Sequence, residues 1–244
     1  MLEVEQQDWP MVEREDGSLV LQTNSDPAGA GHRVVGYKRF AVGLDVGGRG
    51  EDPSALVVLK SESRPYMTGR GWEQALTPPE HTIVYTETAK LGEATDVVDW
   101  VVGKLRQLKN WRFGFDATGM GAPLASLFEQ AKVPAHPVVM TAGAAISRDG
   151  HRVRVSKNLL LENAATCFEN GSLRVASDLP DKEALIREIT SVEFKTTSAG
   201  NMTLQSAGKG HHADRFIAAS IALLVETHLA PRRVTFGRIE NYFG

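Results

Sequence analysis

Three aspartates stand where an acid is costly unless it has a task. Asp45 closes the apolar run from Arg39 to Val46 (RFAVGLDV), and Asp116 closes Arg112 to Asp116 (RFGFD). A charge at the end of a buried strand is expensive unless it is paired or holds a metal. Asp214 opens a segment whose residues Ile217, Ala218, Ile221 and Val225 fall on one helical face with it. That acid therefore projects from the packing face of a helix. If the two strands are parallel neighbours, Asp45 and Asp116 leave the sheet at the same carboxyl-terminal edge, where open α/β sheets bind ligands. Three carboxylates converging there suit Mg²⁺ or Mn²⁺, which prefer oxygen donors. Two such ions about 4 Å apart are the equipment for phosphodiester hydrolysis. Each acid alone also reads as a turn, cap or first-turn residue; the combination carries the metal reading.

The elements that must position these acids are visible in the pattern. Strands are expected over 39–46, 55–60, 81–86, 112–116 and 135–140, the last in spite of its proline. Helical stripes run over 93–108, 123–131, 156–169, 181–189 and 212–228, with a β-rich stretch at 192–205. A Gly/Pro loop joins the first two strands, so they pair antiparallel; helix–strand–helix–strand follows. The expected fold class is α/β, a mixed sheet flanked by helices. The expected organisation is an acidic, weakly ordered leader at 1–36, one domain at 37–230 and a tail at 231–244.

Composition is that of an ordinary soluble domain: 244 residues, 42% hydrophobic and 23% charged. The single Cys167 excludes an internal disulfide and a thiolate cluster. No apolar run is long enough to span a bilayer, and the N-terminus has no signal pattern. The total charge is −3, yet the first 36 residues hold seven acids against two arginines, which leaves +2 for the rest. Residues 148–157 (RDGHRVRVSK) form a basic run, in which Arg148, Arg152, Arg154 and Lys157 are candidates for phosphate contacts. The same run also reads as a solvated hairpin. Gly47-Gly48 and Gly119/Gly121 look like a phosphate cradle, or more simply tight turns beside carboxylates.

Three blocks carry a family resemblance: 42–58 (VGLDVGGRGEDPSALVV), 113–127 (FGFDATGMGAPLASL) and 211–224 (HHADRFIAASIALL). In order and spacing they resemble the signature blocks of the nuclease domain of tailed-phage terminase large subunits. The resemblance covers roughly residues 38–229. It implies an RNase H-like fold and a Mg²⁺- or Mn²⁺-dependent endonuclease with two metal ions, cutting double-stranded DNA during genome packaging. By position, Asp45, Asp116 and Asp214 match the metal-binding catalytic triad of that family. Asp52 matches an additional acid near the metal, and His211 a frequent histidine of the third block. The implied partners are a packaging ATPase domain or subunit, the terminase small subunit and the portal, with no membrane, in the cytoplasm of a bacterial host. The family's ATPase phosphate loop, G-x-x-x-x-G-K-[ST], does not occur in this chain.

Two other kinds of function share parts of this pattern. Another RNase H-like nuclease, such as a Holliday-junction resolvase, uses the same strand-end acids on a different DNA. A sugar-kinase or actin-like ATPase also begins a phosphate loop with Gly-x-Asp-x-Gly, but needs a second related domain. A non-catalytic assembly module with this fold predicts no metal binding, against the complete set of acids.

Overall fold

Five segments rich in apolar residues pair into the centre of one sheet. The computed structural model describes residues 10–22, 34–48, 52–68, 74–141, 145–196, 202–206 and 213–229. In chain order the strands begin with β1 (Met11–Glu13), β2 (Ser18–Leu21), β3 (Gly36–Asp45) and β4 (Ser54–Ser63). A small hairpin, β5 (Pro65–Met67) and β6 (Gln74–Leu76), precedes β7 (Glu80–Ala89), helix α1 (Ala94–Leu105) and β8 (Trp111–Asp116). Then come α2 (Leu124–Gln130), β9 (Ala135–Thr141), β10 (Ser147–Asp149), β11 (Arg152–Ser156) and α3 (Lys157–Glu169). The chain continues through β12 (Leu173–Val175), α4 (Lys182–Thr190), the ribbon β13 (Val192–Thr196) and β14 (Met202–Ser206), and α5 (Asp214–His228).

The sheet runs β10-β11-β9-β8-β3-β4-β7-β12. Strands β3, β4 and β7 are antiparallel, while β8 and β9 lie parallel to β3 on its other side. This is the mixed sheet expected from the sequence, an RNase H-like arrangement with β3 at its centre. One face carries α5 and α3 over Ala41, Val57, Ile83, Val138 and Val153. The other carries α1 and α2 over Val42, Leu44, Phe113 and Phe115. Burial on both faces explains why the central strands read as near-continuous apolar runs.

Part of the span read as a weakly ordered leader departs from that expectation. Residues 10–22 hold the β1–β2 hairpin, and β2 pairs with β3 through Ser18–Tyr37 and Leu19–Gly36. Leu19 is 2% exposed, so the hairpin adds to the core. The signal was present: Asp16-Gly17 is a hairpin-turn dipeptide, and Gly17 has φ +74°. Two flanking strands of three and four residues are too short to show periodicity. Among the described residues, no helix is long and apolar enough to cross a membrane.

Candidate metal centre

The register places two of the acids side by side. Parallel pairing of β3 and β8 ends at Leu44–Phe115, and both strands terminate one residue later, at Asp45 and Asp116. Side chains alternate across a strand, so Asp45 shares its face with Gly43, and Asp116 shares its face with Gly114. That face is the one beneath α5. A Cβ on Gly43 would stand 1.9 Å from the Ala218 carbonyl oxygen, and one on Gly114 would stand 2.4 Å from Val225 Cγ2. Glycine at these two positions lets the helix lie directly on the strands.

The third acid follows from the direction of α5. Arg39 near the start of β3 bonds Glu226 near the end of α5, Nε donating to Oε1 at 2.6 Å, so helix and strand run antiparallel. From Arg39 to Asp45 is about 20 Å of strand at ~3.3 Å per residue. From Glu226 back to Asp214 is about 18 Å of helix at 1.5 Å per residue. The two lengths match, and Asp214 arrives over the end of β3.

Electrostatics registers the convergence. The Asp45 carboxyl titrates well above the ordinary carboxylate range, first because it is desolvated and then because Asp116 and Asp214 repel its charge. Lys157 acts in the opposite sense, and Glu188 adds a further repulsion. Asp116 is also raised, chiefly by burial, while its bonds to Thr118 and the charge of Lys157 oppose the shift. The Thr118 backbone N–H donates to Asp116 Oδ1 at 2.8 Å, and Thr118 Oγ1 in turn accepts from Met140 N at 2.9 Å, which ties this turn to β9. Among the described residues no three His, Cys, Asp or Glu groups already stand at metal-cage spacing. Asp116 and Asp214 each lie within electrostatic range of Asp45. Their chemistry nevertheless fits hard divalent cations: all-oxygen donors, mutually repelling, one of them held desolvated.

The remaining candidates fall in different places. Lys157 begins α3 at the same sheet end, after β11, and its charge reaches both Asp45 and Asp116. Arg152 and Arg154 are exposed, and Arg154 pairs with Val139, on the sheet face opposite α5. Arg148 is exposed on the outermost strand β10 and acts on His136. Asp52 is exposed on the loop between β3 and β4, its carboxyl beside Gly48. His211 lies outside the described residues.

Sequence reasoning passed over Glu188. This residue of α4 accepts hydrogen bonds from the backbone N–H groups of Arg215 (2.7 Å) and Phe216 (3.2 Å), and from Arg215 Nη1 (2.7 Å). It satisfies two of the free N–H groups that open α5 and holds the turn bearing Asp214. Its signal is tertiary, since no local spacing tells which helix start a distant glutamate will reach.

Solved structures similar to this chain include nuclease domains of phage large terminases. The large terminase nuclease from thermophilic phage G20c with bound magnesium is 18% identical, covers 88% of this chain and 89% of its own, and has a TM-score of 0.52. The Thermus phage P74-26 large terminase nuclease domain is 16% identical over 89% of each chain, with a TM-score of 0.50. The nuclease domain of the large terminase subunit of bacterial virus Sf6, a K428A mutant with manganese and β-thujaplicinol, is 12% identical, covers 76% and 87%, and reaches 0.53. At such identities the likeness establishes the fold. No family model matches the sequence, and no curated protein sequence matches it.

Proposed function

We propose that this chain is a divalent-metal-dependent endonuclease that hydrolyses double-stranded DNA, the nuclease unit of a phage DNA-packaging machine. The observation that carries the proposal is the placement of Asp45 at a strand end, desolvated and opposed by Asp116 and Asp214. Burying a carboxylate among carboxylates is unfavourable for folding alone and becomes favourable once cations are bound. Solved nuclease domains of the same fold, described with bound magnesium or manganese, support the same reading.

Asp45, which feels the charge of both other acids, would hold the metal together with Asp116 and Asp214. Mg²⁺ or Mn²⁺ bound there would supply an activated water at neutral pH and neutralise charge on the leaving 3′ oxygen. The chain's own groups do the remaining work. Thr118 N–H fixes the Asp116 carboxylate, and Glu188 fixes the first turn of α5. Lys157 brings a positive charge into the acidic cluster, where the scissile phosphate must enter. It favours the ionised form of Asp45 and offers a contact for a phosphate oxygen. Arg148, Arg152 and Arg154 are exposed and suited to sequence-independent backbone contacts. Asp52 and His211 would act as accessory groups for the reaction. The packaging ATPase, small subunit and portal would be its partners, in the cytoplasm of the infected cell.

Incubating the purified chain with supercoiled plasmid in Mn²⁺, Mg²⁺ or EDTA tests the proposal. Metal-dependent nicking and linearisation, lost in Asp45→Ala, is the expected result. A folded wild-type protein that cuts neither plasmid nor linear duplex with either metal would refute it. Preference for four-way junctions over duplex would move the enzyme to the resolvase class.

A further inference from the structure

Helix α5 begins without a cap of its own. The residue ahead of it is Ala213, whose side chain has no acceptor to offer. The opening N–H groups of a helix have no partner inside it, and here they directly follow Asp214. Their acceptor comes from another helix. Glu188 of α4 takes the N–H of Arg215 at 2.7 Å and that of Phe216 at 3.2 Å on Oε2, and Arg215 Nη1 at 2.7 Å on Oε1. The Glu188 and Arg215 side chains are 13% and 17% exposed, so water competes little for these bonds.

Two roles are open to an acid so placed. Its charge reaches Asp45, and a negative charge beside a cation site attracts the cation. Both of its oxygens, however, are engaged by Arg215 and Phe216, and the guanidinium offsets that charge. The remaining role is geometric: Glu188 fixes the peptide units that directly follow Asp214. The hold is mutual. Leu185 is the one buried residue of the nine in α4, and Ile186 is exposed, so apolar packing alone holds this helix weakly. Asp181, the residue ahead of α4, also lies 3.9 Å from Arg215 Nη2. Helix α4 and the opening turn of α5 therefore anchor one another.

We propose that Glu188 is a positioning residue of the metal centre, through which the docking of α4 on the start of α5 sets the affinity of the aspartates for a divalent cation. This role presupposes the metal reading above and adds to it a regulating element, α4. Whatever lifts α4 uncaps α5, and the turn that bears Asp214 loosens. By linkage, a bound cation must in turn hold α4 in place. Residues that orient the ligands of a metal site typically change its affinity about 10–100-fold.

Calorimetric titration of Mn²⁺ into the full chain, beside amide hydrogen exchange, tests it. Wild type binds Mn²⁺, and Glu188→Ala, folded by circular dichroism, binds it at least tenfold more weakly. Glu188→Gln keeps an oxygen for the Arg215 and Phe216 N–H groups but drops the charge, and it loses about threefold or less. Glu188→Met keeps the length of the side chain without an acceptor and replaces Glu188→Ala if that variant does not fold. Mn²⁺ also slows exchange of the α4 amides in wild type, and not in Glu188→Ala. Unchanged Mn²⁺ affinity in the folded Ala or Met variant overturns the positioning role and leaves the metal reading standing. So does an equal loss in Glu188→Gln, which assigns the effect to charge, or α4 exchange in wild type that Mn²⁺ does not alter. A folded wild type that takes up no Mn²⁺ overturns the metal reading itself, and the role of Glu188 with it.

Discussion

Replacing Gly43 by alanine adds one methyl group at the contact that sets the proposed metal centre. The new Cβ would meet the Ala218 carbonyl oxygen at 1.9 Å and the Ala222 nitrogen at 2.7 Å, both backbone atoms of α5 that cannot rotate aside. Real Cβ atoms essentially never approach heavy atoms closer than 3.0 Å, so α5 must withdraw from β3 by 1 Å or more. Overpacking of this kind costs about 1–3 kcal/mol, which for a chain of this size lowers Tm by roughly 2–12 °C. The larger effect is geometric. Asp214 lies one helical turn before Ala218 and moves with it, and a misplacement of about 1 Å in a catalytic constellation costs on the order of 100-fold in rate. Gly43→Ala should therefore remain folded at 25 °C yet nick plasmid about 100-fold more slowly under single-turnover conditions with Mn²⁺. Gly103→Ala is the control: its Cβ, in the last turn of α1, meets nothing within 4 Å. It should raise stability by about 0.5–1 kcal/mol and leave cleavage unchanged. A folded Gly43→Ala protein that cuts at the wild-type rate would show that close approach of α5 to β3 does not set the site.

Other perturbations probe the same scaffold. Glu226→Ala leaves Arg39 and Arg112 without their shared carboxylate; because both arginines are partly exposed, the loss should be near 3 kcal/mol, the lower end for a broken buried pair, and thermal melting reads it as a fall of about 6–12 °C. In EDTA, Asp45→Asn should melt higher than wild type at pH 7. The folded-state pKa of Asp45 is raised, so its penalty is absent below the unfolded value and grows as pH rises through the folded one; the gain should shrink toward pH 4, and a constant gain would contradict the assignment. Lys157→Met removes the one cation that acts on Asp45 among the described residues and should slow nicking at least tenfold while the metal-free protein keeps its fold by circular dichroism; wild-type rates would remove Lys157 from the site.

Much of the candidate centre was legible because its placement is local. Asp45 and Asp116 each end an apolar run, and a run followed by an acid and a glycine turn marks a strand end in any context. Asp214 was legible because Ile217, Ala218, Ile221 and Val225 define the packing face of its own helix. What escaped depends on partners distant in the chain. Glu188 caps a helix that begins 26 residues later. Arg39 and Glu226 are 187 residues apart and fix the direction of α5 only in three dimensions. The basic run 148–157 reads as one surface in sequence, but strand alternation and the start of α3 divide it. Arg154 lies on the face opposite α5, while Lys157 joins the aspartates. The β1–β2 hairpin shows the limit of periodicity, because its strands are shorter than the pattern needed to recognise them, and only the Asp16-Gly17 turn announces it.

Calorimetric titration of Mn²⁺ into wild type and Asp45→Asn tests the central claim most directly, since it reads the carboxylates without requiring cleavage. Wild type should bind Mn²⁺ saturably, near two ions per chain, and Asp45→Asn should lose that binding while remaining folded. A folded wild-type chain that takes up no Mn²⁺, or an Asp45→Asn variant that binds it equally well, would contradict the assignment of these aspartates as a metal centre.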